Sequence, residues 1–220
     1  MHIGFVNAGL LISAGYVGQL VGALLFGALG EMYGRRRTFL LALGVFGLFS
    51  MVAAFAWNFE SLLAIRIIEG FGLGAEIPLA VSLFNEWIRG KTRGRVFIYF
   101  QNAFPFGLML TPLIGAALFG VVGRDLGWRV LFGIGGIPLL MAIYGYFKLP
   151  ESPRWLADKG RVQEADRLVC EMEAEYPAGS LPQPEVRYSA DVQPTRFGEP
   201  FSPSYLRRTI LVSVQFFACY

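Results

Sequence analysis

Histidine is almost missing from this chain. His2, at the very end, is the only one, which leaves little room for catalytic imidazole chemistry. The two cysteines, Cys170 and Cys219, lie far apart and offer neither a metal-ligand nor a redox spacing, so no metal and no cofactor is expected. Charge is scarce too: 16% of residues are Asp, Glu, Lys or Arg, where a soluble domain carries roughly a quarter. The net charge of +3 is small, and the arginines gather in short loops rather than along one face, which argues against nucleic acid as a partner. What fills the gap is apolar sequence, 55% of 220 residues, with mean hydropathy +0.51. This composition describes an all-α polytopic membrane protein in contact with the lipid bilayer.

Five apolar runs are long enough to span: 3–28, 39–57, 62–84, 96–122 and 130–149. The first begins directly after Met1, is too long for a signal-peptide core and has no basic residue ahead of it, which suggests a clipped start. Its Gly15, Gly18 and Gly22 have the small-residue spacing that lets helices approach closely in lipid, and Gln19 is the polar group near its middle. The second run ends at Trp57-Asn58-Phe59-Glu60, a set of interfacial anchors without a basic residue. Beyond the fifth run, 150–176 reads as a cytoplasmic segment. Ser152 and Pro153 open a short helix there, and an amphipathic one follows from Val162 to Glu175. Residues 177–208 are rich in proline and polar side chains and read as a linker, and 209–220 begins another span.

The third run carries the unusual residues. Arg66, Glu69 and Glu76 stand inside an apolar segment, where a charge costs on the order of 3 kcal/mol, so each needs a cavity or a partner. Glu69 and Glu76 are seven apart and share a helix face, while Gly70 and Gly74 form a packing ridge on another, ahead of Pro78. Two readings stay open: a polar cavity, or Arg66 snorkelling to the surface and pairing with Glu69 at i, i+3. The fourth run holds Gln101, Asn102, Pro105 and Pro112, and the prolines are expected to interrupt its hydrogen-bond ladder beside a cavity. The stretch from Arg124 to Arg129 is expected to be a turn on the outer side.

The stretch Gly27 to Arg37 sets the orientation. Gly30 and Gly34 are expected to turn the backbone sharply, Glu31 closes the preceding helix, and Arg35, Arg36 and Arg37 mark the cytoplasmic side. The stretches 29–38, 85–95 and 150–208 then fall on that side. A plain basic anchor is the alternative reading of the cluster.

These motifs together resemble the major facilitator superfamily, within it the sugar-porter and metabolite:proton symporter branch. Gly27 to Arg37 is similar to the family's G-x-L-x-D-x-x-G-R-R/K motif, with Glu31 where aspartate is usual. Arg66, Gly70 and Gly74 resemble the arginine-glycine motif of the family's fourth helix. Glu86 with Arg93-Gly94-Arg95 resembles the E…RGR pattern, and Pro150 to Arg154 matches the PESPR motif. The resemblance implies an incomplete N-terminal helical bundle, lacking its first helix and the C-terminal half that would be its partners. It further implies alternating access in a cell-membrane transporter, with Glu31, Glu86 and Glu151 facing Arg35, Arg36, Arg93, Arg95 and Arg154 as a cytoplasmic gate. Gln19, Arg66, Glu69, Glu76, Gln101 and Asn102 are the candidates for the solute cavity. Gly18, Gly22, Gly70, Gly74, Pro78, Pro105 and Pro112 are the candidates for packing and hinges. Glu76, assisted by Glu69 and opposed by Arg66, is the candidate protonation site for symport of a small organic solute with protons. A uniporter and a transporter-like sensor are the alternatives. An enzyme is not expected, because no nucleophile, metal set or paired acid and base collects at one surface.

Overall fold

A computed structural model describes residues 4–88, 90–174 and 202–219. The first helix, α1 (Phe5–Tyr33), and the second, α2 (Arg35–Ala53), are separated by one residue, Gly34. Gly34 has φ +107° and ψ 144°, a conformation open in practice only to glycine. Its N–H bonds to the Gly30 carbonyl at 3.2 Å, and its own carbonyl accepts the Thr38 N–H at 3.2 Å, so one glycine ends α1 and starts α2. The expected loop at 29–38 is therefore corrected. A reversal needs a single positive-φ residue, and Gly34 supplies it. Gly30 stays helical and buried inside α1, and the three arginines form the first turn of α2.

At the opposite end Asn58 caps α3 (Phe59–Trp87). Its side chain accepts the Ser61 N–H at 2.6 Å while Ser61 Oγ accepts the Asn58 N–H at 3.2 Å. This cap starts the helix three residues before the expected 62, and α3 runs through Pro78 without a break. Likewise α4 (Gly90–Val122) contains Pro105 and Pro112 and remains one helix, against the expected interruption. Side chains within α4 bond backbone one turn earlier, Asn102 to the Ile98 carbonyl at 2.9 Å and Thr111 Oγ1 to the Gly107 carbonyl at 2.8 Å.

The run expected as one helix over 130–149 is instead two: α5 (Arg124–Ile134) and α6 (Ile137–Lys148). Gly123, at φ +79°, is the N-cap that makes the expected outer turn at 124–129 helical. The break falls at Gly135-Gly136, where the backbone presses on α2. A Cβ on Gly136 would lie 2.7 Å from Met51 Sδ, and one on Gly135 would collide with Ser50 Oγ. Residues 125–148 together keep the length and hydropathy of a span. Two short helices follow, α7 (Pro153–Asp158), capped by Ser152, and α8 (Val162–Ala174), with Gly160 at φ +75° between them.

The span α3 is the packing centre, with α1 on one side and α2 on another. In lipid, apolar area alone does not drive helices together, so close backbone contact has to. Gly18 and Gly22 of α1 lie against the backbone of Ile67, Gly70 and Phe71. Gly70 and Gly74 lie in turn against the backbone of Gly15 and Gln19, and Gly72 meets Ala42 and Phe46 of α2. Two small buried clusters seal the joints: Phe26, Ala42, Ala75 and Leu79 in one, and Ala53, Ala56, Leu62 and Ile65 in the other. The α2–α6 and α4–α5 pairs complete this unit, and α4 touches α3 only slightly.

The chain divides into two compact units at residue 175. In the second, α9 (Pro203–Cys219) starts before the expected boundary at 209, because Ser202 and Pro203 form a helix start and the Ser202 carbonyl accepts the Leu206 N–H at 2.8 Å. The remainder of the expected 177–208 linker lies outside the described residues.

Candidate functional site

Between α1 and α3 lies a cavity of about 130 Å³, lined by Ile12, Tyr16, Gln19, Arg66, Glu69 and Leu73 among others. The small residues that bring the two helices together also leave this space, since Gly15 and Gly70 form part of its wall. Glu69 is only 4% exposed, and Arg66 Nη1 donates to its Oε2 at 2.9 Å. The Arg66 guanidinium also stands 5.7 Å from the centre of the Phe132 ring. Ser50 of α2, buried as well, donates its Oγ–H to the Phe132 carbonyl at 3.1 Å. A carboxylate this buried needs a paired cation, and the part-exposed Arg66 supplies it.

Of the six sequence candidates for a cavity, the fold brings Gln19, Arg66 and Glu69 together. Glu76 is half-buried on α3 and does not line this cavity. Seven residues carry the helix about 10 Å along its axis, too far for so small a space. Gln101 and Asn102 lie exposed on α4, away from the α1–α3 seam.

At the arginine-rich end the polar contacts converge on the start of α2. Arg35 pairs with Glu86 of α3, whose side chain is 9% exposed, and with Glu31 at 3.2 Å, which is 72% exposed. Glu151 Oε1 accepts the Arg36 backbone N–H at 2.9 Å and the Ser152 N–H at 3.1 Å. A carboxylate is favoured at a helix N-terminus, where unpaired N–H groups carry partial positive charge. The Arg36 guanidinium meanwhile bonds the Tyr146 carbonyl. Trp155 Nε1 donates to the Glu31 carbonyl at 3.1 Å, tying α7 to the end of α1.

The other gate candidates fall elsewhere. Arg93 bonds the carbonyls of Asn85 at 2.5 Å and Ile88 at 3.4 Å rather than Glu86, while Arg95 and Arg154 are exposed and outside these pairs. Arg35 already occupies Glu86 and leaves Arg93 to close the α3–α4 turn.

Sequence reasoning passed over three residues. Ser50 is the lone hydroxyl inside the second run, a signal that was available. Trp155 and Tyr146 act through an indole N–H and a backbone carbonyl, which no motif marks. Arg129 also takes a role that its position hid. Its guanidinium bonds the carbonyls of Ala54 and Ala56, past the end of α2, and lies 4.5 Å from the Trp128 ring centre. It is engaged as a clasp at that end.

Membrane-length helices packed on glycine, with an ion pair at the α1–α3 seam and a cluster of charged contacts at one end, make a multi-pass membrane bundle, and its relatives place it in the major facilitator superfamily. The chain belongs to the sugar (and other) transporter family, whose pattern it matches over residues 5–219. It is 32% identical over 214 residues to the niacin transporter NiaP of Acinetobacter baylyi, covering 96% of this chain and 47% of that protein. It is 32% identical over 213 residues to the 4-hydroxybenzoate transporter PcaK of Pseudomonas aeruginosa, covering 96% of this chain and 47% of that protein. The chain thus spans about half the length of these relatives. A partially occluded, inward-open structure of the xylose transporter XylE from E. coli shares the fold, with TM-score 0.69 and 23% identity over 76% of this chain and 44% of that one.

Proposed function

We propose that this chain forms the N-terminal half of a secondary transporter that moves a small organic solute across the cell membrane by alternating access, coupled to protons. The observation that carries this reading is the Arg66–Glu69 pair inside the α1–α3 cavity. Charged side chains inside an apolar span are costly unless they pair or face a cavity, and those that persist mark solute and ion pathways. Protonating Glu69 would free Arg66 to meet an anionic group on the solute, and releasing the proton would restore the pair. Niacin and 4-hydroxybenzoate, for which the two relatives are named, are both aromatic carboxylates. Tyr16 from α1 and Arg66 from α3 both line the cavity and suit such a solute, so a small aromatic or aliphatic carboxylic acid is the favoured class.

The latch of Arg35, Glu31, Glu86, Arg36 and Glu151 would lie on the cytoplasmic side and hold the closed state there. Each exposed pair contributes roughly 0–1 kcal/mol, enough together to tilt two states of nearly equal energy.

One observation favours a uniporter as the second reading. Arg66 and Glu69 sit three apart on the same helix, so their pairing can persist while helices rock past one another. Uptake by the complete gene product in proteoliposomes separates the two. Symport predicts accumulation of carboxylate driven by an inward proton gradient and lost when an ionophore collapses it. A uniporter equilibrates the solute without concentrating it.

A further inference from the structure

Beside the latch, a groove of about 610 Å³ runs between α2 and α6. Its mouth is formed by Arg36 and Arg37, and its walls by Leu40, Leu41, Ile143 and Phe147 among others. These apolar walls are open to the outside, with Leu41 57%, Ile143 52% and Phe147 76% exposed. Arg36 and Arg37 stand in the first turn of α2, and Lys148 stands in the last turn of α6, the helix packed beside it.

The charges around this mouth are unevenly satisfied. Arg36 and Arg37 also line the adjoining cavity of about 380 Å³ beneath α8, which contains Arg161, Arg167, Glu164 and Glu171. There Arg161 pairs with Glu164 at 2.5 Å and Arg167 with Glu171 at 3.0 Å. The hydrogen bond from Arg161 holds the Glu164 carboxyl below the usual carboxylate range. Glu151 is occupied by the N–H groups of Arg36 and Ser152. The Arg36 guanidinium bonds the Tyr146 carbonyl, and its buried Nε has no partner among the described residues. Arg37 is exposed and pairs with no carboxylate among the described residues.

We propose that this groove is a binding site for one anionic glycerophospholipid, its phosphate held by Arg37 and Arg36 with Lys148 nearby and one acyl chain lying between α2 and α6. An apolar trough that continues from a basic mouth into the membrane layer matches a molecule with both characters. A zwitterionic lipid offers the same chain and no net charge, so it gains nothing from Arg37. The occupied phosphate would also sit next to the Arg36–Glu151 contact, so this lipid would brace the start of α2.

The test uses the complete gene product in phosphatidylcholine vesicles containing a trace of phosphatidylglycerol with a photoreactive group on one acyl chain. After illumination, labelled peptides are mapped by mass spectrometry. Labelling should concentrate on peptides bearing Leu40, Leu41 and residues 142–147, while a phosphatidylcholine probe labels all spans evenly. Removing one basic residue near an anionic headgroup weakens binding about fivefold, so Arg37→Gln should reduce the enrichment by about that factor. Ile143→Trp, which fills the groove from an exposed position, should abolish it with Arg37 intact. Equal labelling by the two probes, or enrichment unchanged in both variants, overturns the proposal.

Discussion

Glu151 accepts the backbone N–H of Arg36 at 2.9 Å across 115 residues of sequence, so a motif after the last span caps the helix that follows the first. Gly34 makes room for this contact, because a Cβ there would lie 2.5 Å from Glu151 Oε2. The two best-marked motifs of the chain are therefore one structural joint.

Breaking that joint should cost stability from either side. Glu151→Ala removes an N-terminal cap and its charge, an effect of about 1–2 kcal/mol. Gly34→Ala adds a clash and a disfavoured φ, about 1–3 kcal/mol. Thermal unfolding in detergent reads both, and Glu151→Gln, which keeps an acceptor, should fall between wild type and Glu151→Ala. An unchanged melting temperature in Gly34→Ala would contradict a joint that depends on glycine at this position.

Glycines of α1 should divide sharply by position. Gly22 faces the backbone of Phe71, whereas a Cβ on Gly27 meets nothing within 4 Å. Gly22→Leu should therefore forfeit the folded monomer in size-exclusion chromatography, while Gly27→Ala should be neutral or stabilising by up to about 1 kcal/mol. Equal tolerance at the two positions would rule out the glycine seam as the contact that holds α1 to α3.

The latch pairs should differ in weight as they differ in burial. Glu86→Gln uncovers the Arg35 charge at a site 9% exposed, and should slow transport several-fold and raise alkylation of cysteines placed at this end of the bundle. Glu31→Gln, at a site 72% exposed, should shift either readout by less than about twofold. The reverse ranking would place the gate on the outer pair.

Orientation follows from accessibility. With Cys170 and Cys219 replaced by serine, a cysteine at exposed Asn58 should react with an impermeant reagent from outside, and one at exposed Asp158 only after permeabilisation. Labelling of both from one side would overturn the proposed arrangement.

Hydropathy located the membrane segments, because a span of 20 or so apolar residues has few other uses. The joints between them were less legible. Gly30 and Gly34 look alike in sequence, and tertiary contacts set them apart: Gly30 packs helical against Leu79, while Gly34 takes positive φ beside Glu151. Pro78, Pro105 and Pro112 suggested breaks that continuous helices absorb, whereas Gly135-Gly136 carried the break because α2 presses on it. In the cavity, Arg66 and Glu69 were marked by their own cost in lipid. Glu76 is singled out by its place near the middle of the span just before Pro78, and its position along the axis leaves it outside the lining of the α1–α3 cavity. That Gly15 walls the cavity and Ser50 lies beside it follows from the packing of α1 and α2 against α3.

The most direct measurement is solute accumulation by Glu69→Gln beside Glu76→Gln in proteoliposomes with an imposed proton gradient. Glu69→Gln keeps the shape of the cavity and removes the titrating group beside Arg66. It should lose uphill accumulation while still exchanging solute downhill, and Glu76→Gln should retain accumulation. Uphill accumulation by Glu69→Gln with an unchanged dependence on pH would contradict proton coupling through the Arg66–Glu69 pair.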